Sequence, residues 1–337
     1  MTKYILSRED ELKNTAGEKA KEDIKKILMD DGFKTLNVKV RETRFSKVIF
    51  TKHDISKKLN LTNPNDIIFI QYPIASRYTT KVILNECKKK KIKTVCFIHD
   101  LESLRLYKND ARKIKDEINI LKEFDCLIAH NSKMMGWLKK CGIPSNKLIS
   151  LEIFDYLNNN QILNLNSQND LVFAGNLVKS KFLTHWNINK KLKVFGINPD
   201  KNYPRNIQYC GVKSPEELPK YLDGSFGLVW DGTTMITNDG VYGEYTKYNN
   251  PHKVSLYLSC GLPVIVWKEA AIAEFIENNG LGLTVASLDD LPGKLENITE
   301  NDYMIFLSNV EKIMQRIRSG YFTSRAVKKA LTVVRDN

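Results

Sequence analysis

Short apolar runs alternate with amphipathic stretches along most of this chain, a pattern typical of parallel α/β layers. The apolar run over 67–70 has no polar interruption and predicts a strand buried on both faces of a sheet. Helices are predicted over 16–30 and 110–123, and Ser132 is expected to cap the next one. The alternation restarts at Leu171–Ala174, so both halves of the chain have the same layered organisation.

A polar, turn-prone segment interrupts the alternation near the middle of the chain. Residues 158–170 are rich in asparagine, glutamine and serine, a composition typical of a linker. We therefore predict a first domain over 1–157, a second over 158–317, and a C-terminal helix over 318–337 that packs back on the first domain. The predicted fold class is α/β, with two Rossmann-like lobes and a ligand cleft between them.

The chain has 337 residues and a formal net charge of +13, which favours anionic partners. We interpret the densest basic run, 88–91, as a solvated helix end; contact with an anionic membrane surface is the alternative. No RNA-binding or zinc-finger signature accompanies the charge, so nucleic acid is not an expected partner. No apolar stretch approaches the roughly 18 residues of a membrane helix, and the N-terminus is charged too early for a signal peptide, so we expect a cytoplasmic protein.

Neither the cysteines nor the histidines are spaced as metal ligands. The six cysteines include no Cys-x-x-Cys pair, and the five histidines include no His-x-x-x-His pair. We interpret the cysteines as reduced core residues. The sequence therefore predicts no metal site and no cofactor.

The start of one short helix carries the strongest chemical signal. Pro251 is expected in its first turn, where the missing N–H leaves no hydrogen bond unmade. The other amide groups of that turn and the helix dipole favour an anion in front of the helix. The positive charge of Lys253 is unfavourable at the positive end of the helix dipole, and an anion such as a phosphate beside it would remove that penalty. The stretch indicates a bound nucleotide diphosphate, to which Lys253 is expected to be exposed.

Three other loops follow or precede predicted elements in positions that suit a ligand. The small residues Thr15, Ala16 and Gly17 lead into the first helix, where backbone amides can approach a ligand closely. Lys179 follows a strand and can neutralise a phosphate, and Asp231 follows another and can bond sugar hydroxyls. For each loop, an ordinary turn or cap is the alternative.

His99 and Asp100 directly follow the predicted strand 94–98. A general base needs a carboxylate or imidazole within reach of the nucleophile's proton, so either residue is a candidate to deprotonate an acceptor hydroxyl. The alternative is structural, with Asp100 capping the next short helix and His99 buried with its hydrogen bonds made.

Four segments together resemble a known family. The segments 97–105, 173–180 and 230–253, with the Gly-Leu-Pro-Val-Ile-Val turn at 261–266, are similar to GT-B glycosyltransferases. More narrowly, they resemble the glucosyltransferase-3-like enzymes that extend O-linked glycans on serine-rich-repeat adhesins. They also look like bacterial β-1,6-galactofuranosyltransferases. The chain has no Asp-x-Asp, the carboxylate pair that holds a divalent ion in the metal-dependent single-sheet design.

The resemblance implies a UDP-sugar donor, an acceptor serine or threonine that already carries GlcNAc, and a homotetramer. It places Thr15 and Gly17 near the donor from the N-terminal lobe. It assigns the remaining contacts to the diphosphate and the nucleotide: Asn176, Lys179, Tyr209, Tyr248, Asn250 and Lys253.

We therefore expect a metal-independent transferase that moves a hexose or N-acetylhexosamine from a UDP-sugar to the glycosylated adhesin. If the reaction inverts the anomeric centre, Asp100 is the predicted base; if it retains, Asp100 positions the acceptor. One alternative is a galactofuranosyl- or other polysaccharide transferase with a lipid-linked acceptor. Another is a nucleotide-sugar-binding subunit without turnover.

Overall fold

The computed structural model describes residues 1–8, 16–39, 41, 43–163, 165–166, 168 and 170–336. These residues divide into two compact units. One comprises the described residues of 1–8, 17–152 and 322–336, and the other comprises Ala16 and those of 153–321. Each unit carries a six-stranded sheet. The predicted α/β class is confirmed, since every described strand pair is parallel.

The first unit alternates strands and helices from its N-terminus. Its elements in chain order are β1 (Lys3–Arg8), α1 (Ala16–Asp30), β2 (Lys34–Val38), α2 (Arg44–Leu59), β3 (Ile67–Tyr72), α3 (Arg77–Lys89), β4 (Lys93–Ile98), α4 (Ala111–Lys122), β5 (Cys126–Ala129), α5 (Ser132–Lys140) and β6 (Leu148–Ser150). Residues 322–336, which belong to the C-terminal helix (Tyr321–Asp336), lie with this unit. Ser324 Oγ donates to Asp31 Oδ2 at 2.8 Å, and Arg325 pairs with Glu152 at 2.6 Å.

The sheet of the first unit has the strand order β2-β1-β3-β4-β5-β6. Strand β3 lies inside it with all six residues buried, as its uninterrupted apolar run predicts. The chain moves outward from β1 to β2 and then returns to build the rest of the sheet from β3. The strand order therefore reverses between β1 and β3, and in open parallel sheets ligands bind beyond the strand ends at such a point.

The second unit repeats this arrangement with shorter strands. Its strands are β7 (Leu171–Ala174), β8 (Leu192–Phe195), β9 (Ile207–Tyr209), β10 (Gly227–Val229), β11 (Val264–Trp267) and β12 (Gly282–Val285). Its helices are α6 (Gly240–Tyr245), α7 (His252–Ser259), α8 (Ala273–Asn279), α9 (Leu291–Glu296) and α10 (Glu300–Arg318), and the C-terminal helix is α11 (Tyr321–Asp336). The strand order is β12-β11-β10-β7-β8-β9, so the reversal falls between β7 and β10.

Two predicted helix starts are wrong by one residue. Asn131, not Ser132, caps α5, because its Oδ1 accepts the Met134 backbone N–H at 3.0 Å. Pro251 lies before α7 as its N-cap with an extended ψ of 127°, and His252 is the first helical residue. The proline still has no N–H to leave unbonded, but it also has no side-chain oxygen with which to cap the first turn.

Four of the six cysteines lie in the core, as the sequence suggests, whereas Cys141 and Cys210 are half-buried. All six are unpaired thiols, and Cys87, Cys96, Cys126 and Cys260 are buried. Burial raises the pKa of both Cys126 and Cys260 to about 12, so these thiols stay protonated at neutral pH. No helix among the described residues is both long and apolar enough to cross a membrane.

Candidate functional site

The loops that follow β7 and β10 meet at the point where the strand order of the second unit reverses. The Gly232 backbone N–H donates to the Lys179 carbonyl at 2.8 Å, and the Phe182 N–H donates to the Gly232 carbonyl at 3.2 Å. Gly232 has a φ of +132°, and a Cβ there would lie 2.3 Å from an oxygen of Asp239. The two loops therefore hold each other through backbone bonds that only glycine at 232 permits.

Asp239 fixes the outer end of the β10 loop. Its carboxylate accepts the Thr233 backbone N–H and the Thr233 hydroxyl, both at 2.5 Å. Partial burial opposes ionisation of Asp239, but these bonds and those from the backbone of Thr234 and of Asp239 itself outweigh it and lower its pKa. The loop is thus closed around an ionised carboxylate.

A third loop, after β8, packs against the first. Gly196 has a φ of +149°, and a Cβ on it would lie only 1.8 Å from the Gly175 carbonyl oxygen. Asn198 Nδ2 donates to Asn176 Oδ1 at 3.0 Å, and the Tyr209 hydroxyl donates to the Gly196 carbonyl at 3.0 Å. The structure therefore brings Asn176 and Tyr209 to the same end of the sheet, where the strands finish. Tyr209 is 40% exposed there.

Lys253 reaches from α7 to the ends of β7 and β10. Its Nζ lies 3.0 Å from Asp231 Oδ1 and 3.2 Å from the Trp230 carbonyl, and 4.6 Å from the centroid of the Phe173 ring. Its side chain is 14% exposed, so the expectation that Lys253 is openly exposed is wrong. The reason is Asp231, whose carboxylate draws the ammonium inward. The ammonium has three N–H groups, and these two protein bonds use two of them.

Tyr257 is a site residue that the sequence analysis missed. Its hydroxyl accepts the Ala174 backbone N–H at 2.7 Å, at the last residue of β7. It lies one turn after Lys253 on α7, so both side chains point to the same strand ends. A Cβ on Gly227 would lie 2.3 Å from the Tyr257 ring, which explains the glycine in β10. The four-residue spacing from Lys253 was the available signal.

Lys179 presents a cation without a carboxylate partner. It forms no ion pair with any residue that the structure describes, and its Nζ lies 4.0 Å from the centroid of the Tyr242 ring. Its neighbour Ser180 has a buried hydroxyl oxygen that bonds to nothing in the described part of the chain. The positive charge at the β7 loop is therefore left uncompensated, unlike that of Lys253.

The segment before α7 is polar and only partly exposed. Asn250 is 3% exposed, and the Tyr248 backbone N–H donates to the Tyr245 carbonyl at 2.9 Å. The Oδ1 atom of Asn249 is buried and accepts no hydrogen bond from a described residue. Tyr248 and Asn250 thus lie in the segment that leads into the helix that carries Lys253.

His99 and Asp100 lie in the first unit, directly after β4. His99 Nε2 and Gln71 Oε1 are 2.7 Å apart, and the His99 backbone N–H donates to the Tyr72 carbonyl at 2.7 Å. Asp100 Oδ2 pairs with Arg105 Nη1 at 3.2 Å and keeps 33% of its side chain exposed. Both residues remain accessible at the carboxyl edge of the sheet, with Arg105 holding the carboxylate.

The remaining predicted residues lie in the first loop. Thr15 lies outside the described residues. Ala16 begins α1 and the exposed Gly17 follows it in the first turn. Within the described ranges, no group of three or more His, Cys, Asp and Glu side chains is arranged to hold a metal ion.

Two six-stranded parallel sheets, one in each unit and each with polar residues at the carboxyl ends of its strands, define the fold class. A solved structure described as α-glucosyltransferase (AGT) in complex with UDP has the same fold, with a TM-score of 0.59. The match covers 99% of this chain and 100% of that one at 13% sequence identity, so it shows the fold alone. The chain has the GT-B fold of glycosyltransferases.

The family follows from two models that span most of the chain. The model described as glucosyltransferase 3-like, N-terminal domain, matches residues 2–153, and the corresponding C-terminal domain matches 171–330. The chain therefore belongs to the glucosyltransferase 3-like family, as the resemblance predicts, and is a glycosyltransferase.

Two relatives have been named for different sugars. The chain is 30% identical over 325 residues to β-1,6-galactofuranosyltransferase WbbI of Escherichia coli (strain K12), which covers 95% of both chains. It is 28% identical over 271 residues to glucosyltransferase 3 of Streptococcus gordonii, which covers 80% of both. The relationship to both groups is confirmed, and the sugar differs between them.

Proposed function

We propose that the protein transfers a hexose or N-acetylhexosamine from a UDP-sugar to a GlcNAc-modified serine or threonine of a serine-rich-repeat adhesin. The observation that carries the donor part is the pair of lysines at the β7–β10 reversal, with Lys179 uncompensated and Lys253 directed there by Asp231. A solved structure with the same fold is a UDP complex, which supports UDP as the nucleotide. The assignment of an adhesin as the acceptor rests on the family resemblance.

The carboxyl ends of β7 and β10 suit the diphosphate better than any other part of the donor. Lys179 supplies a positive charge that no described carboxylate neutralises, and the third N–H of Lys253 can donate to a phosphate oxygen. The first turn of α7 adds backbone amides and the positive end of the helix dipole. We propose that these groups stabilise the leaving diphosphate without a metal ion.

In the proposed reaction an acceptor hydroxyl oxygen forms a bond to the anomeric carbon of the donor sugar. The bond from that carbon to the diphosphate oxygen breaks, and UDP leaves with the electron pair. In an inverting reaction Asp100 takes the hydroxyl proton. In a retaining reaction the hydroxyl proton passes to the departing diphosphate oxygen, and Asp100 only positions the acceptor through a hydrogen bond. Arg105 keeps the Asp100 carboxylate in place in both cases.

A donor and acceptor matrix tests the proposal. UDP release is measured for UDP-glucose, UDP-GlcNAc, UDP-galactose and UDP-galactofuranose, each with and without a GlcNAc-serine peptide, and with and without EDTA. We expect one UDP-sugar to give peptide-dependent release that EDTA does not change. Activity that is lost with EDTA contradicts metal independence, and absence of turnover with every pair favours the binding-subunit alternative.

A second candidate is galactofuranosyl transfer to a lipid-linked glycan. The observation that favours it is the first half of α2, where Phe45 is 74% exposed and Val48 is 65% exposed. Lys52 and Lys57 follow on the exposed side of the same helix. Exposed apolar side chains beside cations suit an anionic membrane surface, where a lipid-linked acceptor lies.

Liposome sedimentation separates the two acceptors. The second candidate is favoured if the protein binds vesicles that contain anionic lipid, if Phe45→Ser abolishes that binding, and if the protein transfers sugar to a lipid-linked acceptor but not to a peptide.

Homotetramer formation and a cytoplasmic location stay predictions from the sequence. Light scattering during gel filtration measures the number of subunits directly.

A further inference from the structure

Tyr242 is an aromatic residue at the β7–β10 reversal that the proposed reaction does not use. It lies on α6, and the centroid of its ring is 4.0 Å from Lys179 Nζ. A cation within about 6 Å of a ring centroid is attracted by the negative face of the aromatic quadrupole. The tyrosine is 38% exposed and the lysine is half-buried, so the contact lies at the surface of the site.

The segment that leads from β10 to α6 is built on the side chain of Asn238, which is 2% exposed. Its Oδ1 accepts the Asp231 backbone N–H at 3.4 Å, and its Nδ2 donates to Thr246 Oγ1 at 3.2 Å. Thr246 Oγ1 in turn donates to the Gly243 carbonyl at 2.5 Å. One buried amide therefore ties the start of the β10 loop to the end of α6.

Gly243, which follows Tyr242, brings α6 into direct contact with that loop. A Cβ at Gly243 would lie 2.6 Å from the Asn238 carbonyl carbon and 2.7 Å from the Asp231 carbonyl oxygen. Only glycine permits two backbone segments to approach so closely. The backbone of Tyr242 is therefore fixed beside the end of β10.

Lys179 is anchored to the same place from the other side. Its backbone N–H donates to the Asn176 carbonyl at 3.1 Å, and its carbonyl accepts the Gly232 N–H at 2.8 Å. Gly232 directly follows Asp231, so the backbones of both partners are held at one turn. The freedom that remains is that of the lysine side chain, and the tyrosine ring restricts it.

An aromatic ring differs from a carboxylate in what it leaves for a ligand. Both carboxylates of the segment between β10 and α6 are engaged, because Asp231 pairs with Lys253 at 3.0 Å and Asp239 accepts the Thr233 N–H and hydroxyl. A carboxylate beside Lys179 would neutralise it and compete with a phosphate. The ring attracts the ammonium but keeps its full charge, and N–H groups turned away from the ring can still donate.

We infer that Tyr242 is a positioning residue of the donor site, whose ring holds the Lys179 ammonium, fully charged, where the diphosphate binds. Tyr242 acts through Lys179 and makes no contact of its own with the nucleotide. Because the lysine is held before the ligand arrives, less side-chain entropy is lost on binding. The inference rests on the proposed function, since it assumes that a diphosphate binds beside Lys179.

A double-mutant cycle on UDP affinity, measured by calorimetry on the full chain, tests the inference. Tyr242→Leu keeps an apolar side chain but no ring face, and we expect UDP affinity to fall about 2- to 5-fold. Tyr242→Phe keeps the ring and should bind UDP as the wild type does. In a Lys179→Ala chain, Tyr242→Leu should cause no further loss, because the ring then has no ammonium to hold.

A second substitution removes the attraction while keeping an aromatic ring. Pentafluorophenylalanine at position 242 has a ring whose face is no longer negative, so it should lower UDP affinity as leucine does. Tyr321→Leu is the matched control, since Tyr321 is 40% exposed in the same unit and its ring centroid lies 5.4 Å from the Arg316 guanidinium. That variant should bind UDP as the wild type does, and urea denaturation checks that each variant is folded.

Three results overturn the inference: wild-type UDP affinity in both Tyr242→Leu and the pentafluorophenylalanine chain, an equal loss in Tyr242→Phe and Tyr242→Leu, or an undiminished effect of Tyr242→Leu in the Lys179→Ala chain. The last would mean that the tyrosine contacts the nucleotide directly. If Lys179→Ala weakens UDP binding and the Tyr242 variants do not, the donor site stands without the inference. A chain that shows the expected cycle with UDP but turns over no UDP-sugar keeps Tyr242 as a positioning residue and overturns the proposed function.

Discussion

Lys253 Nζ and Asp231 Oδ1 are 3.0 Å apart at the end of β10, with 14% and 16% of their side chains exposed. Ion pairs that are largely removed from water gain Coulomb energy but lose hydration, so their net contribution to stability is small while removal of one partner is costly. The main effect of the pair is therefore to position the Lys253 ammonium. It directs one cation of α7 to the strand ends where the diphosphate is proposed to bind.

Lys253→Met should weaken UDP binding and also destabilise the fold. Methionine keeps much of the lysine stem but no ammonium, so Asp231 is left in a mostly buried place without its cation. We expect UDP affinity to fall by at least 10-fold and the free energy of unfolding to fall by about 2 kcal/mol. Calorimetry with UDP and urea denaturation measure the two effects.

The double variant Lys253→Met/Asp231→Asn separates position from stability. The neutral amide no longer needs a cation, so the free energy of unfolding should return most of the way to the wild-type value. UDP affinity should stay low. If the double variant binds UDP as tightly as the wild type, Lys253 has no part in the donor site.

Lys179→Ala should weaken UDP binding without changing stability. The ammonium forms no ion pair with a described residue, so the folded state loses only its contact with the Tyr242 ring. We expect about a 10-fold loss of UDP affinity at low salt and a smaller loss at high salt, because screening weakens the lost attraction. Lys179→Arg should bind UDP at least as tightly, since a guanidinium can bond phosphate through two N–H groups.

Lys220→Ala is the matched control for this comparison. Lys220 is exposed in the same unit and is outside the loops of the candidate site. Its removal changes the net charge by the same amount as Lys179→Ala. Equal losses of UDP affinity in the two variants would mean that the effect is general electrostatics and not a contact at the β7 loop.

Gly196→Ala should disrupt the junction of the β7 and β8 loops. The added Cβ would lie 1.8 Å from the Gly175 carbonyl oxygen, and the φ of +149° is one that alanine rarely adopts. Backbone on at least one side must move, so we expect a loss of about 2–3 kcal/mol in the free energy of unfolding and weaker UDP binding. Gly293→Ala, where an added Cβ meets nothing within 4 Å, should lower neither quantity, and alanine inside α9 should raise the free energy of unfolding slightly.

The elements of the fold were predictable where apolar runs are bounded by polar or glycine residues. Strand β7 has the predicted limits because Leu171–Ala174 is a continuous apolar run between Asp170 and Gly175. Strand β6 was not predicted, since its three residues, of which only Leu148 is buried, carry too little pattern. The division between the units falls after Glu152, whereas the polar composition placed it after 157, because composition reports where turns are frequent and not where packing ends.

Individual residues of the candidate site could be predicted from the sequence, but the contacts between them could not. Lys179 and Asp231 were identified because they follow strands, and parallel strands end at one edge. Asn176 was assigned only by the family resemblance. The attraction of Lys253 to Asp231 depends on a helix and a strand far apart in sequence, and no local pattern encodes it.

His130 should make the first unit sensitive to mild acid. It is 1% exposed, its Nε2 donates to the Ile98 carbonyl at 3.1 Å, and burial lowers its pKa from 6.5 to about 4. Between these two values the unfolded chain binds a proton at His130 that the folded chain does not, so stability falls as the pH falls through this window. From pH 7.5 to pH 5 this one group should remove about 2 kcal/mol from the free energy of unfolding.

Urea denaturation at the two pH values measures this effect. His130→Gln should lose that part of the pH dependence, while His53→Gln, at an exposed position of α2, should keep it. Equal pH dependence of the wild type and His130→Gln would show that the imidazole already takes up its proton in the folded state, with a rearranged bond to Ile98.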